Sequence, residues 1–184
     1  HIVRTLKNQI ATDTVGHAYL FTGTRGTGKT SVARIFARAV NCATPVDSSP
    51  CGKCDVCLEL ALSDNFDVIE IDAASNNGVE QIRELTDKVG FPPTIGKYKV
   101  YIIDEVHMLT KSGYNAFLKT LEEPPAHAIF ILATTEVHQI PATILSRCLR
   151  FDFRLVPASQ IAERLKFIFD DNGFTYDRES LNLI

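Results

Sequence analysis

Residues Gly23–Thr30 read GTRGTGKT, with HAYLFT ahead of them and SVARIFARAVN behind. The spacing is G-x-x-x-x-G-K-[ST]. The apolar run before Gly23 suits a buried strand, and the run behind sets Val32, Ile35, Phe36, Ala39 and Val40 at helical spacing. Strand, glycine loop and helix together make the setting in which this pattern cradles phosphate. The loop's glycines let its N–H groups turn inward, and the start of the helix offers the positive end of its dipole. Across Gly23, Thr24, Arg25, Gly26, Thr27, Gly28, Lys29, Thr30 and Ser31, the pattern assigns Lys29 to the β- and γ-phosphates. It assigns the Thr30 hydroxyl to Mg²⁺.

The unit repeats downstream. DVIEID (67–72) reads as a strand, and Val79, Ile82, Leu85 and Val89 form a helical stripe. KVYIID (99–104) is another strand, SGYNAFLKTLEE (112–123) a helix stopped by Pro124 and Pro125, and AIFILATT (128–135) a fourth strand. Strands this continuously apolar belong to a parallel sheet covered by helices on both faces. LRFDF (149–153) alternates and predicts a one-sided final strand. Ile2, Val3, Leu6 and Ile10 predict an opening helix with no capping residue before it, as expected of a fragment. Beyond Pro157 the pattern is helical only, with Ile161, Leu165, Ile168 and Phe169 on one face and Gly173 as a stop. The expected organisation is therefore an α/β core over 1–156 and the beginning of a helical lid over 157–184.

Asp104 and Glu105 follow four buried-type residues, which brings both carboxylates to the sheet edge that also carries the loop. Asp104 is placed to hold Mg²⁺ with Thr30, and Glu105 to orient and deprotonate a water. That second acid favours hydrolysis over transfer to a bound acceptor. Thr134 and Thr135 reach the same edge at the end of the fourth strand, where a hydroxyl either marks a turn or senses the γ-phosphate.

Four of the five cysteines fall in NCATPVDSSPCGKCDVCLEL (41–60), spaced C-x₈-C-x₂-C-x₂-C. Cys42, Cys51, Cys54 and Cys57 can close a tetrahedron around Zn²⁺ with no open position for chemistry. An iron–sulfur set would add a following Cys-Pro, which is missing, and a dithiol would not need four thiols. Zinc would fold an insertion, 42–57, that has little to bury. Cys148 is left as a packed thiol.

HAYLFTGTRGTGKTS, CGKCDVC, IEIDAASNNGVEQIR, VYIIDEVHML, NAFLKTLEEPP, FILATTE and ILSRCLRF follow one another along the chain. In that order they resemble the gamma/tau subunits of the bacterial DNA polymerase III clamp loader, which are AAA+ P-loop NTPases. The resemblance implies a motor subunit that binds ATP, Mg²⁺ and Zn²⁺, works with homologous loader subunits, opens the sliding clamp and places it on primed DNA. Residue by residue it makes Gly23–Thr30 the Walker A loop, Asp104 and Glu105 Walker B, and Thr135 the sensor. Arg147, within SRC, becomes the arginine finger that acts in trans on a neighbour's ATP. From spacing alone, Arg147 reads first as a surface ion-pair partner, and the resemblance reverses that. The adenine contacts and a second sensor arginine of that family fall outside this chain.

Composition bounds the alternatives. The 184 residues are 45% apolar and 22% charged with a net charge of -3, which excludes disorder and a polyanion-coated surface. No apolar run approaches a membrane span or a signal peptide, so the expectation is a cytoplasmic protein without a membrane partner. A zinc-containing nucleotide kinase would need a basic lid and an acceptor pocket, of which EEPPAHAIFILATTE gives no sign. Within the ATPase class, another AAA+ DNA-processing ATPase, such as a branch-migration motor, is the alternative.

Overall fold

A computed structural model describes residues 1–62 and 65–177. Contacts divide the chain into two units, His1–Phe153 and Arg154–Ile184. The first unit contains α1 (Ile2–Ala11), β1 (Ala18–Thr22), α2 (Lys29–Asn41), α3 (Asp55–Glu59), β2 (Val68–Asp72) and α4 (Val79–Val89). It continues with β3 (Lys99–Asp104), α5 (Lys111–Glu122), β4 (Ala128–Thr134), α6 (Ala142–Leu145) and β5 (Leu149–Asp152). Short 3₁₀ turns occupy Val106–Met108 and Val137–Gln139.

All five strands pair in parallel, in the order β2-β3-β4-β1-β5. The three central strands bury nearly every residue, as their unbroken apolar runs require. Alternation splits them between two cores. Leu20, Tyr101, Ile103, Phe130 and Leu132 face Ile82, Leu85 and Val89 of α4 and Phe117 and Leu121 of α5. Tyr19, Phe21, Val100, Ile102, Ile129 and Ile131 face Leu6 of α1 and Phe36, Ala37 and Val40 of α2. Each large side chain so buried contributes roughly 2 kcal/mol from the removal of apolar surface from water.

The stripe expected on α2 is turned in the structure. Its buried apolar residues are Ala33, Phe36, Ala37, Ala39 and Val40, while Ile35 is 53% exposed. Small alanines seat the helix close to the sheet, and Val32 and Ile35 border a shallow groove shared with Val3, Leu6 and Ile10 of α1. At the sheet margin, Phe151 and Phe153 pack on Tyr19 and Phe21, but Leu149 is 46% exposed.

The second unit contains α7 (Ala158–Asn172), ended by Gly173 in the left-handed region at φ 70°. Phe169 meets the rings of Phe174 and Tyr176. Of the residues expected to begin a lid, 178–184 lie outside the described ones. No helix among the described residues is long and apolar enough to cross a membrane.

Candidate nucleotide and metal sites

Parallel pairing brings the C-terminal ends of β1, β3 and β4 to one edge, and a cleft of about 510 Å³ opens there. Arg25, Gly26, Gly28, Lys29, Thr30 and Ser31 line one side, and Glu70, Asp72, Asp104 and Glu105 the other. Gly23 leaves β1 at φ 145°, where an added Cβ would fall 2.4 Å from the Phe153 carbonyl oxygen. Only glycine fits that approach. Gly28 caps α2 from the left-handed region at φ 89°.

Lys29 is buried, and its ammonium donates to the carbonyls of Gly23 at 2.8 Å and Thr24 at 3.0 Å. The loop thus holds its cation on its own carbonyls. Thr27 donates to the Thr24 carbonyl and tightens the turn. The Thr30 hydroxyl donates to Oδ2 of Asp104 at 2.6 Å. Hydroxyl and carboxylate are the hard oxygen ligands that Mg²⁺ selects, and both face the cleft, so the pair fits that ion.

Glu105 begins the 3₁₀ turn with φ 46°, a left-handed conformation rare outside glycine. Its Oε2 accepts the Thr135 hydroxyl at 3.1 Å. Thr134, fully buried, instead accepts the Glu136 N–H at 3.0 Å and meets Nδ1 of His107 at 3.0 Å.

Three neighbours of the site escaped sequence reading. Arg34 clamps Glu70 with two 2.7 Å hydrogen bonds at the rim of the cleft. Asp72 stands beside Asp104 in the sheet register. His107 lies two residues beyond Glu105, and a histidine inside VHML was the only available signal.

Arg147 lies apart from the loop. The register Tyr19↔Leu149 and Thr22↔Asp152 puts it before the opposite end of β5 from Gly23, and strand geometry separates Leu149, two residues after it, from the level of Gly23 by roughly 13 Å. Its guanidinium donates to Oε1 of Glu122 and to the Thr143 carbonyl, each at 2.6 Å.

The four clustered cysteines converge, with all sulfurs within 4.8 Å of one another. Zinc at about 2.3 Å from each sulfur of a tetrahedron requires S···S distances of about 3.8 Å. Cys42 and Cys54 lie 3.9 Å apart and Cys51 and Cys57 4.0 Å apart, so the set fits the ion. Backbone donors surround it: Cys51 N–H points at Cys42, Lys53 and Cys54 N–H at Cys51, and Cys57 N–H at Cys54. The Thr44 hydroxyl and those N–H groups pull the Cys51 thiol down to about 5, and the Cys57 N–H lowers that of Cys54. Burial pushes Cys57 up to about 12. Metal bound by all four would displace the Cys57 proton. Cys148 packs against the core, and burial raises its thiol to about 11.

The loop between β1 and α2, the acids ending β3 and the sheet order together define an AAA+ P-loop protein. A Thermotoga maritima structure described as a DNA polymerase III gamma subunit-related protein superposes with a TM-score of 0.67 at 27% identity, over 91% of this chain and 51% of that one. The Thermotoga maritima Holliday junction branch migration motor RuvB superposes at 0.65 over 96% of this chain and 51% of its own, but at 16% identity, which marks a shared fold. The family model described as DNA polymerase III, delta subunit, matches residues 1–157, and the chain belongs to that family. The DNA polymerase III tau subunit of Bacillus subtilis is 56% identical over 100% of this chain, and the chain spans 33% of that relative. The resemblance to gamma/tau subunits read from the motifs therefore holds.

Proposed function

We propose that this chain is the ATP-hydrolysing part of a clamp-loader motor subunit, which uses ATP binding and hydrolysis to open a sliding clamp and place it on primed DNA. One observation carries the reading. In a chain 56% identical to a tau subunit along its whole length, the loop lysine, the Thr30–Asp104 pair and the Glu105–Thr135 pair share one sheet edge.

In this reading the triphosphate takes over the donors that Lys29 now gives to its own loop. Mg²⁺, held by Thr30 and Asp104, supplies charge neutralisation at the phosphates. Glu105 orients and deprotonates the attacking water, and Thr135 sets its carboxylate. Arg147 cannot reach its own loop, so it serves the neighbouring subunit, where a forked cation stabilises charge on the γ-phosphate. The four cysteines hold Zn²⁺ as a structural ion. The partners are homologous loader subunits, the clamp and primed DNA, and the setting is the cytoplasm.

ATPase assays on a loader assembled with the full-length subunit test this. Hydrolysis should rise only when clamp and primed DNA are present together. Turnover indifferent to both would point to another AAA+ machine, and phosphate transfer to a nucleoside would point to a kinase.

A further inference from the structure

The carboxylate of Glu105 is met by more than the sensor threonine. His107 sits in the 3₁₀ turn that follows β3, its side chain only 10% exposed. Its Nδ1 lies 3.4 Å from Oε2 of Glu105, the same oxygen that accepts the Thr135 hydroxyl at 3.1 Å. Nδ1 also lies 3.0 Å from Oγ1 of Thr134. Two groups from two adjacent strand ends thus converge on one carboxylate oxygen. Glu105 needs such support, because a non-glycine residue at φ 46° carries a backbone cost of roughly 1–3 kcal/mol that its surroundings must offset.

Proton accounting gives the contact its direction. A neutral imidazole carries one N–H. With that proton on Nδ1, His107 offers a donor to the space shared by Glu105 and Thr134. With it on Nε2, Nδ1 becomes an acceptor for the Thr134 hydroxyl and presents only a lone pair to the carboxylate. Beside the Thr135 hydroxyl, Oε2 of Glu105 therefore faces the positive N–H edge of the ring in one arrangement and a lone pair in the other. Thr134 is fixed at the end of β4 by the Glu136 N–H, beside Thr135, so a shift of that strand end reaches Glu105 by both routes.

The geometry points to His107, seated on Thr134, as a positioning residue that fixes the carboxylate of Glu105 for hydrolysis. It rests on the reading of Glu105 as the group that activates water. His107 need not touch the nucleotide. Its whole effect runs through Nδ1, which distinguishes it from a histidine that merely fills a gap in the core.

The test is steady-state ATP hydrolysis by a loader assembled with the full-length subunit, comparing H107A, H107N and H107Q with E105Q. An asparagine amide nitrogen can stand near the place of Nδ1, whereas a glutamine amide stands near that of Nε2. H107A should lower kcat by about 10²-fold, the scale of a small misplacement of a reacting group, with KM for ATP and thermal midpoint unchanged. H107N should recover most of the loss and H107Q little of it. Equal rescue by both, an effect confined to KM or to stability, or full activity in H107A beside an inactive E105Q would each overturn the role of His107. Full activity in E105Q would remove the reading of Glu105 on which it stands.

Discussion

Thr30 and Asp104 share a 2.6 Å hydrogen bond across 74 positions of sequence, joining the first turn of α2 to the end of β3. The two oxygens that would hold Mg²⁺ are therefore already neighbours. A hydroxyl donor to a carboxylate is worth roughly 1.5–3 kcal/mol, so the pair also ties the loop to the sheet.

Replacing Thr30 by alanine removes one oxygen ligand and leaves Asp104 without this donor. The expected result is a loss of about tenfold or more in affinity for ATP measured with Mg²⁺, the lower end of that bond's worth. Affinity measured with a chelator present should change little, and T30S should behave like the parent. Calorimetry on all three proteins, with and without Mg²⁺, decides it. Equal losses in both conditions would take the Mg²⁺ role away from Thr30.

Such long-range pairs mark the limit of what the sequence discloses. The strand runs, the loop and the acids after VYII could be read because each is local: unbroken apolar strands need two covered faces, and a phosphate loop needs its glycines in order. Sheet order has no local signal, yet it brings Asp72 beside Asp104 and carries Arg147 to the far end of β5. The face of α2 turns from the expected one because Ala33 and Ala37, small and weakly hydrophobic, are fully buried in the core shared with the sheet. His107 was overlooked for a related reason: its partners Thr134 and Glu105 come from two strands, and only tertiary contact joins them.

The cysteine cluster predicts a local response to metal loss. Cys57 is buried at 1% exposure with its thiol pushed up to about 12, so without an ion it keeps its proton and the four sulfurs lose what binds them together. C57S should carry no zinc where the parent carries one ion per tetrahedral site. Hydrogen exchange should quicken across α3 and the segment from Cys42 to Cys57, while β1, β3 and β4 stay protected. Unchanged exchange in a zinc-free protein would deny the metal its folding role.

Asp67, only 1% exposed, accepts three backbone N–H groups, from Thr94, Ile95 and Gly96, at 2.6–2.9 Å. Burial pushes its carboxyl up, but those donors and the charge of Lys99 outweigh it and hold the group below its ordinary value. The sign follows. A lowered folded value means that the stabilisation is complete above the unfolded carboxyl's value, near 4, and disappears as pH falls through the folded value. D67N should cost roughly 3 kcal/mol at about pH 7, since charge-assisted bonds become neutral and one amide donor faces other donors. In urea denaturation the gap between parent and D67N should narrow as pH falls below the unfolded carboxyl's value and through the lower folded one. A gap independent of pH would mean that the charge of Asp67 contributes nothing.

Arg147 and Glu122 form a part-exposed ion pair, with side chains 32% and 49% exposed. Such a pair contributes roughly 0–1 kcal/mol, so it can be exchanged for a neighbour's γ-phosphate at little cost. Placement argues against the alternative: Arg147 precedes β5 at the end opposite Gly23, with Leu149 already roughly 13 Å along the strands from the level of that glycine. R147A should therefore leave nucleotide binding to the isolated subunit unchanged and lower turnover of the assembled loader by about 10³-fold, the scale of an arginine finger supplied in trans. R147K should recover little, because a point charge does not replace a planar fork of donors. E122A frees the guanidinium without removing it, and turnover should stay close to the parent's. Measuring binding on single subunits and hydrolysis on assemblies separates the two roles. Parental turnover in an R147A assembly would return this arginine to the surface ion pair that its spacing alone allows.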